Sequence, residues 1–391
     1  MKNKRRDFIK KSSALAALTF AGFGTAKGNL LNINSTGFPE NRNESLQEKQ
    51  QKDVEWPVLE SAATPKICMV VSRNATDIEM RQVKQIGVNY VHMGGPQIPW
   101  KVEDLSATVD RFKTNGLNII NMMISGFPKT ITGKDGRDAE IEKVKESIHA
   151  AGEAGIPVVE YNFYANRLME GYYEIKGRGG AGMTGFKALE KDLPPNPETG
   201  SLSAETLWNN ITYFLKAIVP VAEKAGVRLA LHPNDPPVPV SHGSAQIIAT
   251  FRDFKKLCDL VESPSNGMTF DCGVSREMGE DPVEVCRYLG SRDRINHVHF
   301  RNVTVEKPYA KYAEVFYAEG FVNMFAVMKE LIRQGYNRGI NPEHPRALDY
   351  DKAHPQGITT WRQYPGGGGY AGEAYDIGYT RAMMQAVYST I

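Results

Sequence analysis

"RLALHPNDPPVP", residues 228–239, begins as a short apolar run, ends that run on a histidine and then turns through four prolines and an Asn-Asp pair. The run is too short for a stable helix, and prolines lack the N–H that a continuing sheet strand would donate. The stretch therefore reads as a buried strand that stops at a stiff corner and presents His232 there.

The same design recurs on both sides of it. Short apolar runs stand at 66–71 (KICMVV), 88–93 (VNYVHM), 117–124 (LNIINMMI), 157–163 (PVVEYNF), 267–273 (GMTFDCG), 295–302 (INHVHFRN) and 338–345 (RGINPEHP). Between them lie amphipathic segments such as TDIEMRQVKQIG, EIEKVKESIHAAGEAG and AETLWNNITYFLKAIVPVAEKAG, each closed by a glycine suited to a left-handed helix C-cap. Strands separated by helix-length connections pair in parallel through right-handed crossovers. With residues 228–234 the runs number eight, the count that closes a (β/α)8 TIM barrel. The expected α/β fold is thus one barrel domain over 63–391; an open doubly wound sheet would want a Gly-rich phosphate turn after its first strand, and none follows residue 71.

Composition agrees with a large folded enzyme-like domain. The 391 residues are 41% hydrophobic and 24% charged, with a formal net charge of +2. No block of Lys or Arg stands outside the first eleven residues, so a nucleic-acid partner is not expected. Cys68, Cys258, Cys272 and Cys286 form no C-x-x-C pair and no disulfide framework. The start of the chain, MKNKRRDFIKKSSALAALTFAGFGTA, resembles a twin-arginine export signal over 1–26, which makes export to the periplasm the expected localisation. Its apolar run is too short for a stable membrane span. Residues 27–62, rich in Asn, Ser, Gln and Glu, read as a polar arm.

In a barrel of this kind the chemistry sits where strands end and loops begin. The last four runs end on His232, Asp271-Cys272, His299 and Glu343-His344. Two imidazoles, a thiol and a carboxylate brought together by barrel closure make a four-ligand set for a divalent cation: His232, Cys272, His299 and Glu343. His92 ends the second run and can edge the substrate pocket, whereas His149, His242 and His354 read as surface residues.

LALHPNDPPVP, VHFRN and the YNF of the fourth run together resemble the mannonate dehydratase family, metal-dependent barrel enzymes of the xylose-isomerase-like superfamily. The resemblance extends from about Pro65 to the C-terminus. It implies a metal held at His232, Cys272, His299 and Glu343, and implies manganese, with iron, zinc or cobalt also compatible with the ligands. It also implies self-association into a homo-oligomer. Two departures stand out: NPEHP replaces the family's R-P-D-H-G, and YANRLMEGYYEIKGRGGAGMTGF follows YNF where the family has a Trp-Thr-Arg element.

The implied reaction removes the proton α to the carboxylate of a sugar acid, D-mannonate, and expels the neighbouring hydroxyl to give 2-dehydro-3-deoxy-D-gluconate. It needs a base for the proton and an acid for the leaving hydroxyl. His344, Tyr370, Asp235 and Asp271 are the expected acid–base groups; Arg301, Asn162, Arg167 and His92 are the expected substrate contacts. Glycine-rich PGGGGYAGE (365–373) lacks the Lys-Ser/Thr of a phosphate loop and reads as a lid, with GRGGAG (177–182) as a second. The competing expectations are a sugar isomerase or epimerase of the same superfamily, whose strand-end ligands are Glu, Asp, His and Glu, and an exported sugar-acid binding protein that does no chemistry.

Overall fold

A computed structural model describes residues 56–354 and 364–391. The expected export signal over 1–26, and the arm up to residue 55, lie outside the described residues. Eight parallel strands close a barrel: β1 (Lys66–Val70), β2 (Tyr90–Gly94), β3 (Asn118–Ile124), β4 (Val158–Tyr161), β5 (Arg228–Leu231), β6 (Asn266–Asp271), β7 (Ile295–Phe300) and β8 (Gly339–Pro342). Closure is made by β1, which pairs with both β2 and β8. Each of the eight runs expected from sequence overlaps one of these strands, with β2 and β6 each extending one residue beyond its run.

Helices α1 (Asp77–Gln85), α2 (Val102–Thr114), α3 (Arg137–Glu153), α4 (Ala204–Ala225), α5 (Phe251–Leu260), α6 (Pro282–Ser291), α7 (Met324–Arg333) and α8 (Tyr370–Tyr388) follow β1 to β8 in turn. Local sequence sets their ends. Thr76 and Glu79 form a reciprocal capping box on α1, and Ser203 accepts from the Thr206 N–H to start α4. Gly226 ends α4 at φ 67°, a left-handed conformation that a side chain would strain. Strands β4, β6, β7 and β8 are buried at every residue, because helices cover the sheet outside and packed side chains fill it inside.

Register brings the polar residues level. Asp271 of β6 lies opposite His299 of β7, and His299 opposite Asn341 of β8, so the strand ends form one rim at the C-terminal mouth.

One layer was not expected. Tyr172–Lys176, Gly182–Lys187, Lys311–Val315 and Asn302–Lys307 form a four-stranded antiparallel sheet, built from the segments that follow β4 and β7. Both segments leave the barrel at its C-terminal mouth, so the sheet stands beside the site. Tyr172, Phe186, Tyr312 and Tyr364 stack at centroid distances of 5.0–5.6 Å on it. The supposed lid at 177–182 is the turn joining two of its strands. The glycines at 365–373 allow close packing instead: a Cβ on Gly366 would come within 2.3 Å of the Met183 carbonyl oxygen. No helix among the described residues is long and apolar enough to cross a membrane.

Candidate active site and metal centre

His232 follows β5 directly. Its Nδ1 lies 2.7 Å from the Pro233 carbonyl oxygen, which fixes the proton on that nitrogen and leaves Nε2 aimed at the barrel axis. Nε2 sits 3.0 Å from His299 Nδ1 and 3.9 Å from Asp271 Oδ2. Glu343, directly after β8, places Oε2 3.1 Å from the same His299 Nδ1. Each of His232, Asp271, His299 and Glu343 offers one ligand atom, and all four atoms fall within 4.8 Å of one another in a buried cluster. Two imidazoles and two carboxylates suit a first-row divalent cation.

Electrostatics around the cluster are those of gathered ligands. Burial works against an imidazolium at His299, but the Glu343 and Glu160 carboxylates outweigh it and lift its pKa to about 9. Burial likewise opposes ionisation of Glu343, yet His299, His344 and Arg301 hold its carboxyl well below the usual range. Asp271 is shifted upward, because its burial outweighs the pull of Arg301.

Cys272, expected as a ligand, is not in the cluster. It begins a short helix, Cys272–Glu277, packs in the apolar core, and its thiol donates to the Arg301 carbonyl oxygen at 3.2 Å. Successive residues along extended chain face opposite ways, so only one of the Asp271–Cys272 pair can point inward, and it is Asp271. Asp271 therefore takes that place in the candidate ligand set. Its other oxygen, Oδ1, accepts from the Val274 N–H and caps that helix, which fixes the carboxylate's orientation.

Arg301, expected to clamp the substrate, is 1% exposed and already committed. Its Nε lies 3.0 Å from Asp271 and 3.3 Å from Glu343, and its Nη atoms reach Glu277 at 2.6 Å and Asp235 at 3.3 Å. It is a positioning residue that holds two of the ligand carboxylates in place. Tyr370 is also corrected: it starts α8, and its hydroxyl donates to the Gln82 carbonyl oxygen 3.0 Å away on α1, outside the cavity. A tyrosine does face the site from this part of the chain, but it is Tyr364, just before the glycine-rich stretch.

The cluster opens into a cavity of about 210 Å³ at the barrel mouth, whose lining includes His92, Asn162, Arg167, Asp235 and His344. His344 packs at 5.0 Å against the Tyr364 ring. Its Nδ1 lies 2.9 Å from Glu314 Oε2, and its Nε2 turns toward Glu343 at 3.9 Å. A carboxylate behind an imidazole orients the ring. His344 keeps this position with φ 50°, a left-handed conformation uncommon for a residue with a side chain and found where a site fixes geometry.

Asp235 is walled in as a carboxylate. It accepts from the Tyr172 hydroxyl at 2.7 Å, and although burial opposes ionisation, Arg301 and Arg167 keep its pKa below the ordinary value. Arg167 donates to the Asp235 carbonyl oxygen at 2.9 Å, lies 5.3 Å from the Tyr364 ring, and is the half-exposed cation of the cavity wall.

Sequence reasoning missed Glu160, Glu314, Tyr164 and Tyr364. Glu160 had a signal: a carboxylate inside the apolar run VVEY. Glu314 and Tyr164 lie in the segments after β7 and β4, where no barrel periodicity marks them.

The family model D-mannonate dehydratase (UxuA) matches residues 198–390. The chain is 32% identical over 322 residues to the mannonate dehydratase of Streptococcus equi subsp. zooepidemicus, covering 74% of this chain and 85% of that protein. The crystal structure of mannonate dehydratase from Streptococcus suis serotype 2 superposes with a TM-score of 0.74 at 28% identity, covering 83% of this chain and 93% of that one. A xylose isomerase-like TIM barrel protein from Mycobacterium smegmatis shares the fold at a TM-score of 0.54 and 13% identity. The ring of strand-end ligands, the barrel that aligns them and this likeness along most of the sequence agree: the chain belongs to the mannonate dehydratase family.

Proposed function

We propose that the protein is a hydro-lyase that converts D-mannonate to 2-dehydro-3-deoxy-D-gluconate and water, using a divalent cation held by His232, Asp271, His299 and Glu343. One observation carries the reading: the four-ligand cluster and an imidazole backed by a carboxylate, His344 with Glu314 at 2.9 Å, open into the same cavity. Manganese or iron is the proposed metal, since two carboxylates beside two imidazoles make a harder donor set than a cysteine-bearing one. The bound cation supplies Lewis-acid stabilisation of the charge that develops on the substrate carboxylate and its α-carbon.

The chain's own groups do the rest. His344 Nε2 takes the α-proton while Glu314 holds Nδ1–H and stabilises the imidazolium that results. Arg167, the half-exposed cation of the wall, pairs with substrate oxygens in the place where a buried Arg301 cannot. Asn162 orients a sugar hydroxyl, and the Tyr364 hydroxyl, whose pKa burial pushes up, stays protonated as a donor to the departing oxygen. Asp235 acts on neither proton, because it is held as an anion by two arginines.

A second reading, proton transfer between adjacent carbons with no loss of water, is favoured by Asp271, which stands in the ligand ring where a cysteine was expected. One assay separates them. The full chain, stripped and reloaded with manganese, is offered D-mannonate and related sugar acids. Formation of the 2-keto-3-deoxy acid supports dehydration; an epimerised acid with no keto product supports the second reading.

Export by the twin-arginine route is proposed on Arg5-Arg6 and the short apolar run that follows them. Loss of the periplasmic pool on changing both arginines to lysine checks it, and unchanged fractionation overturns it.

A further inference from the structure

Beneath the cavity floor the barrel interior holds a second gathering of ligand types, of which the proposed reaction uses only His299. His92 of β2, Glu160 of β4, and His297 and His299 of β7 each bring one ligand atom within 4.8 Å of the others, and all four residues are buried. Such an interior is ordinarily filled by branched apolar side chains. Here β7 sends two imidazoles inward two residues apart, and Gly339 opposite leaves the room: a Cβ there would meet the His297 ring at 2.9 Å. Glu160 is held in place by Asn121 at 2.6 Å and Thr269 at 2.9 Å.

His297 is fully buried, and neither of its ring nitrogens has a hydrogen-bond partner among the described residues. His92 Nδ1 and His299 Nε2 are unsatisfied as well. Buried imidazole nitrogens are seldom left so, because each loses its water without replacement. One ring nitrogen from each of the three imidazoles and a Glu160 carboxylate oxygen, all within 4.8 Å of one another, make a four-donor ligand sphere.

We propose that His92, Glu160, His297 and His299 form a second cation site inside the barrel, suited to a zinc-class divalent ion. Three imidazoles and one carboxylate make a borderline donor set that favours zinc, cobalt or nickel over manganese and magnesium. His299 serves both sites, with Nδ1 toward Glu343 in the outer cluster and Nε2 toward Glu160 at 3.5 Å in the inner one. With both filled, its ring bridges the two ions as an imidazolate and gives its last ring proton to solvent. An ion enters from the cavity, whose lining already includes His92 and His299.

The test counts metal and needs no substrate, so its failure is distinct from failure of the dehydratase reading. The full chain is stripped, saturated with Zn²⁺ alone, freed of excess and analysed for bound zinc; Co²⁺ loading in parallel reports each site by its d–d absorption. Two equivalents are expected in the wild type. One is expected in His297→Phe, which keeps the outer ligands, and in Glu160→Gln, which keeps the shape of the side chain; His232→Ala should keep the inner ion. One equivalent in the wild type overturns the proposal, as do two equivalents retained in both inner-site variants. If His297→Phe does not fold, the wild-type count and Glu160→Gln decide.

Discussion

Asp271 and Cys272 show how much one residue of phase decides. Both are polar or soft, both lie where β6 hands over to the next helix, and a metal accepts either; only the direction of the chain at that point separates them. Asp271→Ala is expected to lose outer-site metal and turnover together, whereas Cys272→Ala keeps bound manganese and costs about 1 kcal/mol of stability from a lost buried side chain, read by metal analysis and urea unfolding. His344→Gln should lower kcat by about 10²–10⁴-fold with metal content unchanged, because it removes the proton carrier and leaves the ligands. Arg301→Met tests the positioning role. It leaves Asp271, Glu277, Asp235 and Glu343 without their shared cation, and a loss of about 3–5 kcal/mol is expected in denaturant unfolding.

At the scale of elements, the antiparallel sheet beside the barrel carries Glu314 to the site on its strand Lys311–Val315. Burial opposes the charge of Glu314, but His344 and Arg346 outweigh it and hold its pKa at about 2, below the ordinary 4.5. The carboxylate is therefore stabilised in the folded state, by on the order of 3 kcal/mol at neutral pH. That contribution is complete above about pH 4.5 and is lost as pH falls toward about 2. Glu314→Gln should accordingly be less stable than wild type at pH 7, with the gap closing through that window in unfolding measured from pH 7 to 2. The sheet's contact with the glycine-rich turn is equally checkable. Gly366→Ala places a Cβ against the Met183 carbonyl at φ 76°, so a cost of about 2 kcal/mol and a raised KM through displacement of Tyr364 are expected.

For the whole molecule, the centre of the barrel is polar where a hydrophobic plug would be ordinary, and the cations proposed for the two clusters would stabilise that arrangement. Chelation should lower the melting temperature, and Mn²⁺ at about 100 times its Kd should raise stability by roughly 2.7 kcal/mol, measured by calorimetry with and without metal. The sequence by itself determined the barrel. Eight apolar runs at helix-length spacing leave parallel closure as the economical burial, and His232, His299 and Glu343 could be named because strand ends are fixed by where apolar runs stop. What only the tertiary structure decided depends on direction and distant contact. Side-chain phase chose Asp271 over Cys272, charge pairing across four loops took Arg301 away from the substrate, and packing of α8 on α1 removed Tyr370 in favour of Tyr364. Neither phase at a strand's last residue nor pairing between loops far apart in the chain has a local periodicity, so both came into being only when the barrel closed.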